Sequence, residues 1–163
     1  MGNAAHILKK WEKHNPEKVI TDIALICYRI NAMFTYHNNK TFFKDGRLKS
    51  VSFNIADDKT VIGIGNDRQF ELTIQGVNLD DIAVGLDNDM DYLVPDGKLC
   101  SLIYIEDVSE ENSLLLFQFV YEYLKLNPEE YLWFEWDYAF SLEDMKKIKN
   151  VSFEADWCFK KPK

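Results

Sequence analysis

The apolar positions at the start of the chain recur with the spacing of a helix. Residues Ala4 to His14 carry their apolar side chains on one side and lysines on the others, which predicts a short helix. Asn15 and Pro16 then have the character of an N-cap and a first helical residue, and a second helix is expected to about Tyr36. Its buried stripe keeps the three-and-four spacing of a helix face and comprises Ile20, Ile23, Ala24, Cys27, Ile30 and Phe34.

After a turn signal at residues 44–46 the hydrophobic period changes from 3.6 to 2. Apolar and polar residues alternate over three short stretches, 51–55, 62–64 and 70–74, which are separated by short polar links. This pattern predicts a three-strand antiparallel meander with one covered face.

The second half of the chain predicts alternating strands and helices. Residues 99–105 (LCSLIYI) are apolar at nearly every position and indicate a central strand. A helix with an acidic first turn follows and ends near Asn127-Pro128. A strand over Tyr131 to Tyr138, a helix from the Ser141 cap through Lys149, and an alternating strand over Val151 to Phe159 complete the chain.

This order of elements, αα-βββ-β-α-β-α-β, predicts an α+β fold. We expect a single-layer sandwich, in which an N-terminal helical pair, an antiparallel β-meander and further strands pack against helices. The 163 residues are 47% hydrophobic and 14% aromatic, which suits one globular domain over residues 1–163 with a large core.

Cysteine usage and the N-terminal residues bear on the compartment. Cys27, Cys100 and Cys158 are odd in number, far apart and set in apolar runs, so we expect buried thiols in a reducing cytoplasm. No stretch has the length and apolar character of a signal peptide or a membrane span. A cytoplasmic protein without membrane association is therefore expected.

Charge is distributed unevenly along the chain. The net charge is −8, yet residues 1–68 have a balance of +4, while residues 69–124 carry twelve acidic residues and one basic residue, Lys98. This acidity argues against nucleic-acid binding and favours a basic partner that the acidic surface would attract.

The densest acidic stretch, LDNDMDYLVPDG, begins like a calcium-binding loop. Asp87, Asp89 and Asp91 have the spacing of the first three ligands, but Tyr92 and Lys98 stand where an EF-hand needs glycine and glutamate. No metal or cofactor is predicted. The alternatives are looser Ca²⁺ or Mg²⁺ binding, a solvated loop without a role, and a contact loop for a basic partner. The residues of this candidate contact loop are Asp87, Asp89, Asp91, Tyr92 and Asp96.

The segment YLWFEWDYAF offers a second candidate surface. On a strand, Tyr131, Trp133, Glu135 and Asp137 share one face, and aromatic side chains beside carboxylates are typical of a protein-binding surface. Alternatively, a neighbouring helix covers Trp133. If the strand over residues 151–159 pairs with this one, Glu154 and Asp156 add two more carboxylates.

No catalytic residue is predicted from these patterns. Paired acids can hold Mg²⁺ or act as acid and base, so a metal- or carboxylate-dependent hydrolase remains an alternative, using Asp87, Asp89 and Asp91 or using Glu135 and Asp137. The three histidines, His6, His14 and His37, show neither metal-ligand spacing nor a nearby nucleophile motif and are expected to be surface or cap residues.

A small acidic α+β domain with a Trp/Tyr-rich segment such as NPEEYLWFEWDYAFSLEDM resembles the immunity proteins of bacterial polymorphic or contact-dependent inhibition toxin systems. The resemblance lies in the overall character of the whole chain. It implies a non-enzymatic inhibitor that binds a cognate basic toxin domain, often a nuclease, and blocks its active site. An adaptor or structural interaction domain is the further alternative, and the oligomeric state stays open.

Overall fold

The structure is a computed structural model that describes residues 3–37, 39–57, 68–80, 90, 92–95 and 98–161. Its strands are β1 (Asn3–Lys10), β2 (Ala32–Tyr36), β3 (Thr41–Phe42), β4 (Leu48–Asp57), β5 (Gln69–Gln75), β6 (Leu99–Val108), β7 (Tyr131–Trp133) and β8 (Ala139–Phe140). Its helices are α1 (Pro16–Ile30), α2 (Ser113–Leu126) and α3 (Leu142–Lys149), with 3₁₀ turns at Trp11–Lys13 and Trp157–Phe159.

The strands form one antiparallel sheet in the order β2-β4-β5-β6-β1-β7-β8, with β3 also paired to β4. The predicted α+β class is confirmed. β6 lies in the middle of this order, as the continuous apolar run of residues 99–105 predicts.

The predicted helix over Ala4 to His14 is wrong, so the N-terminal helical pair is not found. Residues 3–10 form β1, which pairs with β6 on one side and β7 on the other. Ala5, Ile7 and Leu8 are fully buried, and Leu8 faces the opposite side of the sheet from the other two. Both faces of β1 are covered, so its apolar residues do not alternate strictly. Their spacing therefore resembles that of a helix.

The second predicted helix exists but ends earlier than expected. The Asn15 side chain caps α1 by accepting hydrogen bonds from the backbone N–H groups of Glu17 and Lys18. The helix stops at Ile30 because Asn31 adopts a left-handed conformation, with φ of 56°. The apolar residues beyond it belong to β2 and not to the helix.

The outer two stretches of the predicted meander form the strands β4 and β5, but these strands are direct neighbours in the sheet, so the predicted three-strand order is wrong. β4 and β5 pair directly, from Ser50 opposite Gln75 to Ala56 opposite Gln69. The middle stretch, residues 62–64, lies outside the described residues.

Near the C-terminus, the strands expected over residues 131–138 and 151–159 differ from the observed structure. The strand expected over Tyr131 to Tyr138 ends at Trp133, where a bend in which Glu135 has φ of 63° reverses the chain, and β8 then pairs antiparallel with β7. The strand expected over Val151 to Phe159 is wrong. Trp157 instead begins a 3₁₀ turn, and its indole N–H donates to the carbonyl oxygen of Ser113 at 3.1 Å.

The helices cover one face of the sheet. The main core joins inward residues of β1, β4, β5 and β6 to the buried stripes of α1 and α2 and includes Ile7, Ile23, Ile26, Ile55, Phe70, Leu72, Ile105, Leu116 and Phe119. The single-layer prediction is not confirmed, because a second buried cluster, around Leu8, Leu99 and Trp133, lies on the opposite face. We call this opposite side the outer face.

Candidate functional site on the outer face

A row of polar and aromatic side chains crosses the outer face perpendicular to the strands. Each residue lies opposite the next in neighbouring strands, and the row runs through Ser52, Thr73, Tyr104, His6 and Trp133. The Ser52 and Thr73 hydroxyls are 2.8 Å apart. The alternation of polar residues in β4 and β5 predicts this half of the row, whereas the pairing of β1 with β6 and β7 creates the other half.

His6 is the best-connected side chain of this row. Its Nδ1 lies 2.6 Å from Ser101 Oγ, and its Nε2 lies 3.1 Å from a carboxylate oxygen of Glu135. The ring also packs edgewise on Tyr104 at 4.9 Å and against Trp133 at 5.2 Å. Burial lowers the pKa of His6 below its ordinary value of 6.5, although the hydrogen bond and charge of Glu135 act in the opposite direction.

These contacts determine which ring nitrogen of His6 carries the proton. An ionised Glu135 can only accept, so Nε2 carries the proton, and Nδ1 accepts from the Ser101 hydroxyl. The order serine, histidine, acid is that of an activated nucleophile. Acyl transfer also needs N–H donors aimed at an oxyanion, which a helix N-terminus or a tight turn commonly supplies, whereas Ser101 lies within β6.

Sequence reasoning missed the contact between His6 and Ser101. The two residues are 95 positions apart, and residue 6 was expected on a surface helix. Only the antiparallel pairing of β1 with β6 brings them together, and no local pattern carries that information.

The bend after β7 brings a predicted site residue onto the outer face. Tyr131 and Trp133 lie there as predicted, but residues 135–137 leave the strand, so Glu135 reaches His6 by the turn of the chain and not by strand alternation. Asp137 is exposed, and Trp136 is 44% exposed.

Trp133 is covered, but by a different element from the helix considered as an alternative. Its side chain is 9% exposed, its indole N–H donates to the carbonyl oxygen of Trp136 at 2.8 Å, and it belongs to the cluster with Leu8 and Leu99. Met90, Leu93 and Val94, from the segment predicted as the acidic contact loop, pack against this cluster. The two candidate surfaces are therefore neighbours.

Asp87, Asp89, Asp91 and Asp96 lie outside the described residues, whereas Tyr92 is described and is 63% exposed. Glu154 and Asp156 do not join Glu135, because residues 151–159 form no strand beside β7; both carboxylates form ion pairs with Lys160.

Two glutamates form an acidic pair on the outer face that the sequence did not single out. Glu71 of β5 lies directly opposite Glu106 of β6, two residues along β6 from Tyr104. Glu106 is exposed and Glu71 is half-buried. Among the residues that the structure describes, neither carboxylate forms an ion pair.

Metal-binding and thiol chemistry have little support in the described residues. Within those ranges no three His, Cys, Asp or Glu side chains come together in a way that could hold a metal ion. Cys27 and Cys158 are buried and Cys100 is half-buried, and burial raises the pKa of Cys27 and of Cys158 to about 12. Across these same ranges no helix has the length and apolar character needed to cross a membrane.

Comparison of the chain with protein-family models, with curated proteins and with solved structures finds no match.

Proposed function

We propose that this chain is a non-enzymatic binding protein whose outer face docks onto a basic surface of a protein partner. The observation that carries the proposal is the Glu71–Glu106 pair, two carboxylates directly opposite each other without a described counter-ion. Like charges in this position destabilise a sheet. A lysine or arginine from a partner would relieve that repulsion, so the pair favours association.

Exposed aromatic side chains near Glu135 and Trp133 supply contact area. Trp136 follows Glu135 in the bend, and Tyr92 extends from the segment that packs over Trp133. Tyrosine and tryptophan are the residues most often found at the energetic centre of protein interfaces, and surrounding charges raise the association rate. His6 holds Glu135 in position through its Nε2 contact, which lowers the entropy cost of binding.

The proposed partner is a cognate toxin domain, in line with the resemblance to immunity proteins. A nuclease domain presents lysine and arginine to phosphates, so an acidic face can occupy the groove that nucleic acid would enter. This protein would then neutralise the toxin by occupying its active site or its substrate-docking surface.

Titration calorimetry with the protein encoded by the adjacent gene tests the proposal. We expect a complex at about 50 mM salt that weakens as salt rises, and a Kd raised about tenfold or more by Glu71→Gln/Glu106→Gln. The matched control is Glu143→Gln/Glu154→Gln, which removes the same charge on or near α3, away from the outer face. The control should bind like the wild type.

Two outcomes would contradict the proposal. One is the absence of a complex at low salt, and the other is equal weakening by the outer-face pair and by its control. A Ser101→Ala variant separates binding from hydrolysis at the His6 site. If that variant binds normally but no longer protects against the toxin, inhibition depends on the serine, and a non-enzymatic role is wrong.

A further inference from the structure

The two edges of the sheet differ in how they are protected. Among the described strands, β8 forms one edge with only two residues and is followed at once by α3. β2 forms the other edge with five residues, AMFTY, and contains no proline and no charged residue. Proteins usually shorten, charge or bulge such edges, because an unprotected edge accepts another strand.

The backbone of β2 has groups available for another strand. The His37 N–H donates to the Ser52 carbonyl oxygen at 3.0 Å, so this pair is hydrogen-bonded in the antiparallel ladder. Alternation then directs the N–H and C=O of Met33 and Thr35 toward β4. The same groups of Ala32, Phe34 and Tyr36 point away from β4, and the described residues offer them no strand partner.

The side chains along this edge are unusually apolar for a surface. Met33, Phe34 and Tyr36 are 45%, 41% and 42% exposed, and Phe42 of the neighbouring β3 is 54% exposed. Phe34 and Tyr36 both pack on Phe53, which holds their rings at the edge. An added strand would cover this apolar surface while it extends the ladder.

The surroundings of the edge are basic although the protein is acidic. Residues 29–49 contain five basic residues and one acidic residue, a balance of +4. Arg29 and Arg47 pair with Glu122 and Asp45. Lys40 lies over the Tyr36 ring at 5.6 Å.

The lysines near the β2 edge indicate which kind of partner binds there. Lys40, Lys44 and Lys49 are exposed and form no ion pair with described residues. Antiparallel pairing of two β2 strands from two copies would supply no carboxylate to these lysines, because β2 contains no charged residue, which disfavours a second copy. We propose that the β2 edge binds an extended protein segment that alternates apolar and acidic residues, by strand addition. The segment's backbone would bond to Phe34 and its neighbours, and its carboxylates would meet the lysines.

The probe for this site is an acetylated, amidated nonapeptide of sequence EVEVTVEVE, and binding is followed by chemical-shift changes of β2 amides in the full-length protein. We expect binding at about 50 mM salt that weakens as salt rises. The lysine counterpart KVKVTVKVK should bind roughly tenfold more weakly. N-methylation at alternate residues should abolish binding in one register and leave it intact in the other, because only one set of N–H groups faces β2.

Substitutions at the edge complete the test. Phe34→Pro removes an N–H that points away from β4, so the β2–β4 ladder is kept while strand addition loses a donor. We expect it to weaken peptide binding roughly tenfold beyond Phe34→Ala, which removes the ring alone. If Phe34→Pro does not fold, the N-methylated peptides test the same backbone hydrogen bonds.

Four outcomes would overturn the inference: no binding at millimolar peptide, equal binding of the acidic and basic peptides, insensitivity to N-methylation in both registers, or concentration-dependent dimerisation through β2 in its place. Binding of oligothymidylate at the same amides without peptide binding would assign the aromatic and basic edge to nucleic acid instead.

Discussion

His14 is held in its neutral form by its surroundings. Its Nε2 donates to the Gln75 carbonyl oxygen at 2.7 Å, while its Nδ1 is buried without a hydrogen-bond partner among described residues. Burial, with a smaller effect of the nearby Lys9 charge, lowers the pKa of His14 from 6.5 to about 4. Protonation therefore favours the unfolded chain.

The consequence is a loss of stability in a defined pH range. Above pH 6.5 the ring is neutral in both states and has no effect. As pH falls from 6.5 to about 4 the unfolded state gains the proton first, and the free energy of unfolding falls by about 1–3 kcal/mol after allowance for solvent screening of the half-buried ring. Urea unfolding across this range should show the loss in the wild type.

His14→Gln keeps a donor near Nε2 but cannot titrate, so it should lose less stability over the same range. His37→Gln controls for the loss of an imidazole and should follow the wild type. An equal fall in the free energy of unfolding with pH in all three proteins would show that His14 does not cause the loss of stability.

Some buried polar residues lie where no sequence pattern would place them. Lys9 lies in a strand interior, is 3% exposed, and forms an ion pair with Glu130 at 3.0 Å. Glu130 also accepts the Tyr123 hydroxyl at 2.7 Å, and burial, reinforced by the Glu130 charge, raises the pKa of that tyrosine well above its ordinary value. In the sequence Lys9 reads as a solvent-facing lysine, because lysine is rarely buried unless it is paired. Its partner is 121 residues away.

At the scale of elements, local chemistry predicts helix boundaries well where a side chain forms the cap. Ser141 accepts from the Asp144 backbone N–H, and the Asp144 carboxylate accepts from the Ser141 N–H, so the cap inferred from the sequence is observed with both of its bonds. The Asn15 cap was predicted for the same reason. Strand assignment was poorer, because β1 and residues 151–159 depend on what covers them and not on their own pattern.

The Ser141 cap allows a quantitative test. Ser141→Ala leaves the Asp144 N–H without its side-chain acceptor and should lower the free energy of unfolding by about 1 kcal/mol in urea titrations. Ser152→Ala is the matched control, since Ser152 is exposed and has no described hydrogen bond, and it should change stability by less than about 0.5 kcal/mol. Equal effects of the two substitutions would mean that the cap contributes nothing.

At the scale of the whole molecule, the sequence indicated two candidate surfaces as alternatives, and the fold places described residues of both together. Met90, Leu93 and Val94 pack on Leu8, Leu99 and Trp133. Composition and charge counts located the acidic third of the chain, but they contain no information on which sheet face it meets. Which face the acidic segment meets depends on β1 lying between β6 and β7, and the sequence predicted a helix in place of β1.

The packing of Met90, Leu93 and Val94 on the outer face should therefore be separable from the rest of the fold. Leu93→Ser/Val94→Ser removes apolar contacts with the Trp133 cluster, at a cost of about 1–2 kcal/mol for half-buried side chains. Hydrogen exchange measured by mass spectrometry should then become faster in residues 92–95, where the Leu93 N–H donates to Met90 O at 3.0 Å, while the helix-side core keeps its protection. Tyr92→Ser, an exposed neighbour in the same segment, should leave exchange unchanged. Unchanged exchange in the double variant would show that these contacts do not hold the segment on the sheet.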